Sequence, residues 1–141
     1  MENGIGLYNF IFDKLQMEGM GIEKQDICSY SPLTLAYIGD GVYELVVRSM
    51  IVTEANAPVN KLHKRSSDLV KAETQAKMAL HFRDNDLLSE EELRVLKRGR
   101  NAQSYTKAKN ASVSDYRWAT GFEALIGYLS WNARTALATA K

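Results

Sequence analysis

The sequence predicts an all-α protein, and three observations support this fold class. Apolar residues recur at helical spacing along most of the chain. No stretch alternates convincingly between apolar and polar residues, and the turn signals of β-hairpins are missing. The only two prolines, Pro32 and Pro58, stand where helices would begin. A length of 141 residues suits one core, so we expect a single domain over residues 1–141.

Three predicted helices occupy the first part of the chain. Apolar residues at helical spacing predict a first helix that ends near Gly19. The second helix covers about Pro32–Thr53, with Ser31 as its N-cap. The third covers about residues 58–82, with a break around Ser66–Ser67.

The later helices have clearer start signals. Ser89 and Glu92 have the spacing of a capping box, which starts a fourth helix that ends in a basic stretch. The polar residues 101–112 are expected to form a loop. The last long helix begins within Ser112–Ser114 and runs to about Trp131, and a short Ala-rich helix follows it.

Positive charge is concentrated in one segment of the chain. The net charge is +1, but Arg94–Arg117 holds seven Lys or Arg residues and one Asp, a local +6 that leaves −5 for the rest. Such asymmetry is typical of proteins that bind phosphate backbones, although a solvated helix end and loop would give the same pattern. The candidate binding residues are Lys97, Arg98, Arg100, Lys107 and Lys109, with a second cluster at Lys61, Lys64 and Arg65.

Cysteine content and hydropathy indicate a cytoplasmic protein. Cys28 is the single cysteine, so an intramolecular disulfide is excluded, which fits a reducing compartment. The N-terminus has an acidic Glu2 and no basic region followed by an apolar one, so a signal peptide is not expected. No apolar run approaches the roughly 18 residues that span a bilayer. We therefore expect no membrane segment.

Two isolated carboxylates mark the candidate site. Asp40 stands between two glycines in the apolar segment Ser31–Arg48 (SPLTLAYIGDGVYELVVR), and Glu123 is the only charge in Trp118–Trp131 (WATGFEALIGYLSW). Desolvating an unpaired charge costs several kcal/mol or more, so a buried carboxylate usually has a partner or a metal ion. The pair therefore suggests a divalent-metal site.

Structural roles remain open for the same residues. Asp40, Glu44 and Arg48 follow one another at i, i+4 and i+8 on one stripe, so Glu44 and Arg48 could form a salt pair while a neighbour caps Asp40. Glu123 could equally be the partner of an arginine. The glycines on either side of Asp40 each cost about 1 kcal/mol against alanine in a helix, which suggests that another helix or a substrate approaches closely there.

The metal that fits two such carboxylates is Mg²⁺. This ion takes oxygen ligands, keeps several waters and is often completed by substrate phosphate. It can activate water and stabilise the charge that develops on a phosphodiester under attack. Beside a segment of charge +6, the pair favours a phosphodiesterase that acts on nucleic acid.

At these residues the chain resembles ribonuclease III, whose signature helix reads roughly E-x-L-E-F-L-G-D-[AS]-[VIL]. The segment LTLAYIGDGVYEL aligns Asp40 on the signature Asp. The second catalytic helix of that family reads approximately D-x-x-E-A-[LI]-[LI]-G, and TGFEALIG matches it at Glu123. Between them, KLHKRSSDLVKAETQA is similar to the basic helix that connects the two acidic ones. The resemblance covers about residues 31–131, the expected core of the domain.

Two departures from the signatures point to one branch of the family. Ala36 stands where the signature helix has a metal-binding Glu, and Thr120 where the second helix has its Asp. No double-stranded-RNA-binding domain is expected before the last residue, Lys141. With the strings LAYIGD, LHKRSS, VLKRGRNA and FEALIGYL in order, these features resemble Mini-ribonuclease III, a short bacterial form made of the catalytic domain alone.

The resemblance implies a concrete function. The chain would be an Mg²⁺-dependent endoribonuclease that works as a homodimer, with two active sites facing one RNA duplex. Asp40 and Glu123 would be the catalytic residues and hold the metal, with Glu44 or Glu73 as weaker, outer-shell ligands. The basic residues would track the RNA backbone. Mini-ribonuclease III is associated with maturation of the 23S ribosomal RNA precursor, where a ribosomal-protein helper is a further candidate partner.

Two other functions remain open. Ala36 and Thr120 would also suit a catalytically silent module that binds structured ribosomal RNA, although a pure binder has no need to bury two carboxylates. The second alternative is an all-α dimerisation domain whose acidic stripe is only a salt-bridge seam. The segment of charge +6 argues against that alternative.

Overall fold

A computed structural model describes residues 29–102 and 112–139, together with residues 10, 11, 13 and 14, and the side chains as far as residue 132. The described residues after 29 form five α-helices and no β-strand, which confirms the all-α prediction. No helix among them is long and apolar enough to cross a membrane. The helices are α1 (Pro32–Glu54), α2 (Val59–Val70), α3 (Ala72–Asp84), α4 (Glu90–Asn101) and α5 (Val113–Thr139).

Two predicted elements fall largely outside the described residues. Residues 10, 11, 13 and 14 are helical, as expected for the first helix, but its predicted end near Gly19 is not described. The predicted loop 101–112 is likewise described only at its two ends, where residue 101 still belongs to α4.

Helix α1 begins and ends close to its predicted bounds. Pro32 is its first residue, and the Ser31 hydroxyl accepts a hydrogen bond from the Thr34 amide at 3.2 Å. This cap pairs an amide that the first turn would otherwise leave free, and proline at the first position has no amide hydrogen to satisfy. The helix ends at Glu54, just beyond the predicted Thr53.

The break in the predicted third helix lies later than expected. Lys71 is extended, with φ −67° and ψ 152°, and separates α2 from α3. The Ser66–Ser67 prediction is wrong, because both serines lie inside α2. The Ser67 hydroxyl donates to the His63 carbonyl at 2.9 Å, and this bond to the preceding turn accommodates a serine within a helix.

The start of α4 follows the prediction, whereas the end of α5 does not. The Ser89 hydroxyl accepts from the Glu92 amide at 3.2 Å, and the Glu92 carboxylate accepts from the Ser89 amide at 2.8 Å, which completes the capping box. Helix α5 begins at Val113 but continues to Thr139 without a break. The separate tail helix is therefore wrong, because the alanine-rich residues after Trp131 are good helix formers and prolong α5.

Helix α5 is central and packs on α1, α3 and α4. Phe122 lies fully buried in the core, edge-to-face with Tyr43 of α1 (5.1 Å between ring centroids) and stacked with Phe82 of α3 (6.3 Å). The Tyr43 hydroxyl donates to the Leu69 carbonyl at 2.7 Å, so the polar end of this ring is satisfied inside the core. The aromatic cluster holds α1 and α3 against α5.

Helices α1 and α5 cross in backbone contact beside the two carboxylates. A Cβ atom on Gly39 would lie 2.6 Å from the Glu123 carbonyl carbon and 2.8 Å from the Gly127 amide nitrogen. Only a residue without a side chain permits this approach. At Gly41, in contrast, a Cβ would meet nothing within 4 Å among the described residues. The predicted close approach therefore occurs at Gly39, and the Gly41 side of α1 is open.

Candidate active site

Glu123 lies on α5 where α1 and α3 both pack against that helix. It follows the fully buried Phe122, and its own side chain is half-buried. The side-chain amide of Gln75, on α3, lies beside the Glu123 carboxyl group and lowers its pKa. Packed helices thus fix the surroundings of this carboxylate.

Asp40 lies on α1, directly after the residue that touches α5. Its side chain is exposed, so the expectation that the helix buries this carboxylate is wrong for the described residues. The physical reason is that α5 covers the Gly39 side of α1 while the Gly41 side is open. Asp40 is nevertheless close enough to Glu123 for its charge to raise the pKa of that residue. The fold therefore brings the two predicted residues together.

The electrostatics of the pair are those of two like charges held near each other. The pKa of Glu123 is raised from 4.5 to about 7, mainly by burial and to a smaller extent by the charge of Asp40. The side chain of Gln75 offsets part of this rise. The pKa of Asp40 is also raised, mainly by partial burial and to a smaller extent by the charge of Glu44. Both shifts mean that ionising the pair without a counter-charge costs free energy. A cation bound by both carboxylates would remove that cost.

The donor set fits Mg²⁺. Two carboxylates from different helices offer hard oxygen ligands, and Mg²⁺ typically uses one or two carboxylates, several waters and substrate phosphate. Among the described residues, no three His, Cys, Asp or Glu side chains converge on one point. In that part of the chain, a sparsely liganded, hydrated ion thus fits better than a fully protein-coordinated one.

The two weaker candidate ligands have cationic partners of their own. Glu44 pairs with Arg48 at 3.0 Å on α1, as the structural alternative expected, while its charge still acts on Asp40. Glu73 is exposed at the start of α3 and pairs with Lys77 at 3.1 Å, and that contact lowers its pKa. The outer-shell role of both residues stays a prediction.

Core packing occupies the two positions where the family signatures carry further carboxylates. Ala36 is buried in a small cluster with Val95 and Ala124. Thr120 is also buried, and its hydroxyl donates to the Tyr116 carbonyl at 3.0 Å. At the signature positions, the chain therefore provides one carboxylate from α1 and one from α5.

The predicted basic residues of α4 lie on its last turns. Lys97 and Arg98 are exposed. Arg100 is half-buried, and its guanidinium lies 4.7 Å from the ring centroid of Trp118, a cation–π contact that fixes its side chain. Lys97 and Arg98 are therefore more available to a polyanion than Arg100.

The second basic cluster lies on α2. Lys61, Lys64 and Arg65 are all exposed, and Arg65 pairs with Glu54 of α1 at 2.7 Å. An exposed ion pair of this kind contributes little to stability, so it leaves Arg65 available to a phosphate. The remaining candidates, Lys107 and Lys109, lie outside the described residues.

Gln75, which is only 1% exposed, was not among the site residues that the sequence predicted. It lies on the inner face of α3, three residues after Ala72 and four before the buried Ala79. A polar residue on an otherwise apolar helix face was the signal that could have identified it.

Comparison with known proteins identifies the family. The model of the ribonuclease III domain family matches residues 33–133, a range that includes both carboxylates. Mini-ribonuclease 3 of Clostridium tetani is 50% identical over 112 residues, which are 79% of this chain and 73% of that protein. The chain belongs to the ribonuclease III family. Mini-ribonuclease 3 of a Thermoanaerobacter species is 52% identical over 108 residues, 77% of this chain and 75% of that protein.

These relatives confirm two predictions. The resemblance to the Mini-ribonuclease III branch is confirmed by several of its members, and family membership makes the chain an endoribonuclease of the ribonuclease III type. A crystal structure of a protein from Fusobacterium nucleatum has the same fold, with a TM-score of 0.69 and 26% sequence identity. The match covers 83% of this chain and 92% of that one.

Proposed function

We propose that this ribonuclease III family member cuts double-stranded RNA with the help of Mg²⁺, and that Asp40 and Glu123 are its metal-binding catalytic residues. The observation that carries the proposal is the carboxylate pair. The crossing of α1 and α5 brings two acidic groups close enough for one to raise the pKa of the other. A group with a strongly shifted pKa and a specific charged neighbour is characteristic of functional sites.

The residues of the chain have distinct tasks in this proposal. Asp40, exposed on α1, would offer its carboxylate to a hydrated ion on the side of the site that is open to RNA. Glu123, half-buried, would supply the second oxygen ligand, and a cation held there would favour the ionised form that burial and Asp40 disfavour. When bound, Mg²⁺ supplies an activated water and neutralises charge on the phosphodiester under attack.

The basic residues would provide the grip on RNA. Duplex RNA is recognised mainly by shape, through contacts to phosphates and 2′-hydroxyls. Lys97 and Arg98 on α4, and Lys64 and Arg65 on α2, are exposed and suited to such contacts. Affinity should then fall steeply as salt rises. The roles of Lys107 and Lys109 are proposed from the sequence alone.

We further propose a homodimer that pairs through α1. Among the described residues, this helix has large apolar side chains that the other helices leave uncovered: Tyr37 is 83% exposed, Leu45 59% and Met50 54%. Contiguous exposed apolar side chains mark interaction surfaces. Tyr37 and Leu45 lie on one stripe with the open Gly41, so a second copy could approach there and bring two sites to one duplex.

The biological setting is proposed from the resemblance. Maturation of 23S ribosomal RNA precursor ends, in the cytoplasm, is the role expected of the Mini-ribonuclease III branch, with a ribosomal-protein helper as a further candidate partner. The lone cysteine is consistent with a reducing compartment.

One experiment tests the catalytic proposal. A long RNA duplex is incubated with the protein in Mg²⁺ or in EDTA, beside the variants Asp40→Asn and Glu123→Gln. Cleavage should need Mg²⁺, and each variant should cut at least about 100-fold more slowly, because several kcal/mol of charge stabilisation is lost. Glu91→Gln, an exposed carboxylate of α4, is the matched control and should cut normally. If Asp40→Asn cuts as fast as the unchanged protein, the catalytic proposal is wrong.

The catalytically silent RNA-binding module, which the sequence left open at Ala36 and Thr120, disagrees with the family, because family membership makes the chain an endoribonuclease. Cleavage of the duplex in Mg²⁺ checks this, whereas salt-sensitive retention of the duplex on a gel without cleavage would contradict it. Size-exclusion chromatography tests the homodimer, which predicts twice the chain mass of 15.8 kDa.

A further inference from the structure

Gln75 is the only polar residue among the largest fully buried side chains of the described residues; the others are Phe122, Leu96 and Leu125. Its amide nitrogen has no hydrogen-bond partner of good geometry among those residues. A buried donor without a partner reduces stability, whereas an apolar side chain of the same size would not. Packing alone therefore does not explain a glutamine at this position.

The surroundings of Gln75 contain a polar group to which its amide could donate a hydrogen bond. The residue belongs to α3, which packs directly on α5, and small residues next to it on its helix, Ala76 and Ala79, are almost completely buried. The carboxyl group of Glu123 lies beside this amide, which lowers the pKa of that group. A hydrogen bond to that carboxylate would give the buried amide the partner it otherwise lacks.

We propose that Gln75 is a positioning residue whose buried amide holds the Glu123 carboxylate in the orientation in which it and Asp40 bind one divalent cation. This inference rests on the proposed function. A carboxylate that binds a metal through one oxygen has a second oxygen free to accept a hydrogen bond, and such outer partners orient the ligand. Asp40 is exposed and lacks comparable confinement, so the fixed half of the site is Glu123.

The test compares cation binding in the absence of RNA. Gln75→Met keeps the length of the side chain and removes both amide N–H donors. Gln75→Leu also removes them, with a shorter and branched side chain. Ser66→Ala is the matched control, because it also removes a buried polar group but lies on α2, whose main contacts are with α1 and α3. Mn²⁺ serves as the probe, and electron paramagnetic resonance measures its free concentration.

The expected result separates positioning from packing. Gln75→Met should melt at the same temperature as the unchanged protein or higher without divalent ions, because a desolvated amide has been removed. Its dissociation constant for Mn²⁺ should rise about 10- to 100-fold, while Ser66→Ala binds Mn²⁺ normally. On duplex RNA, kcat at low Mn²⁺ should fall, KM for RNA should stay unchanged, and high Mn²⁺ should restore kcat.

The failures are distinguishable. If the unchanged protein binds no Mn²⁺ and cuts RNA equally well in EDTA, the proposed function fails and this inference with it. If the unchanged protein binds Mn²⁺ and a folded Gln75→Met or Gln75→Leu variant binds it equally tightly, only the positioning role is wrong. A higher KM for RNA with unaltered Mn²⁺ binding would also overturn it, since it would place Gln75 in RNA recognition.

Discussion

Helices α1 and α5 are both largely apolar and each carries one central carboxylate, yet the two carboxylates differ in burial. Glu123 is half-buried in the middle of the domain, and burial together with the charge of Asp40 raises its pKa to about 7. Asp40 is exposed, and a Cβ atom on the next residue, Gly41, would meet none of the described residues within 4 Å. The difference arises because α5 is covered by three helices, whereas α1 is covered mainly by α5 and α2. Similar sequence patterns can thus give a confined acid and an accessible one.

Gly39→Ala should cause the largest loss of stability, because it disrupts the backbone contact between α1 and α5 beside the two carboxylates. The added methyl would meet the backbone of Glu123 and Gly127, which cannot rotate away as a side chain could. Overpacking of this kind costs about 3 kcal/mol or more and would separate α1 from α5. Urea denaturation followed by circular dichroism measures the loss. An unchanged midpoint would show that the helices do not cross so closely.

Glu123→Gln should raise stability at neutral pH without divalent ions. A carboxyl whose pKa is raised in the folded state destabilises the fold as pH rises from 4.5 to about 7, because folding then opposes ionisation. Removing the charge should recover up to about 3 kcal/mol at pH 8 and almost nothing at pH 4. Denaturation in EDTA at both pH values measures this. Equal effects at both would contradict confinement of Glu123, and added Mg²⁺ should stabilise only the unchanged protein.

Asp40→Asn should move the titration of Glu123 rather than unfold the protein. The charge of Asp40 is the second cause of the raised pKa, after burial. Its removal should lower the pKa of Glu123 below about 7 while leaving it above 4.5, since burial persists. Carbon-13 NMR of the Glu123 carboxyl follows the titration directly. Glu91→Ala, an exposed change on α4, should leave the midpoint in place.

Gly41→Ala should have the smallest effect on the single chain, and of opposite sign to that of Gly39→Ala. No described atom lies within 4 Å of the new methyl, so alanine should stabilise the helix by about 1 kcal/mol. If α1 pairs with a second copy at this stripe, the methyl should instead weaken association. Denaturation at low and high protein concentration separates the two effects, and a loss of stability at low concentration would show that Gly41 is covered within one chain.

The sequence predicted helix starts well where the capping hydrogen bond joins residues that are close in the sequence. The serine cap of α1 and the capping box of Ser89 are bonds within one turn, so residue types alone identify them. The break at Lys71 was missed because serines can bond back to their own helix. Helix propensity does not distinguish a serine bonded within its helix from a serine at a helix end. Where the helix breaks depends instead on how α2 and α3 pack.

The site divides in the same way. The two acids, their apolar flanks and the family to which they belong could be recognised from sequence, because each depends on residue identity and spacing. The role of Gln75 was not found, since a lone glutamine in a helix is ordinary until another helix covers it. Its burial exists only because α3 packs on α5.

By itself, the sequence determined an all-α chain, two isolated carboxylates and membership of the ribonuclease III family. Only the tertiary structure decided that Glu123 is confined beside Gln75 and that Asp40 is open to solvent. The physical reason is that residue types and spacing fix which groups a helix can present. Desolvation, and with it the pKa of an acid, depends on which other helices come to cover it.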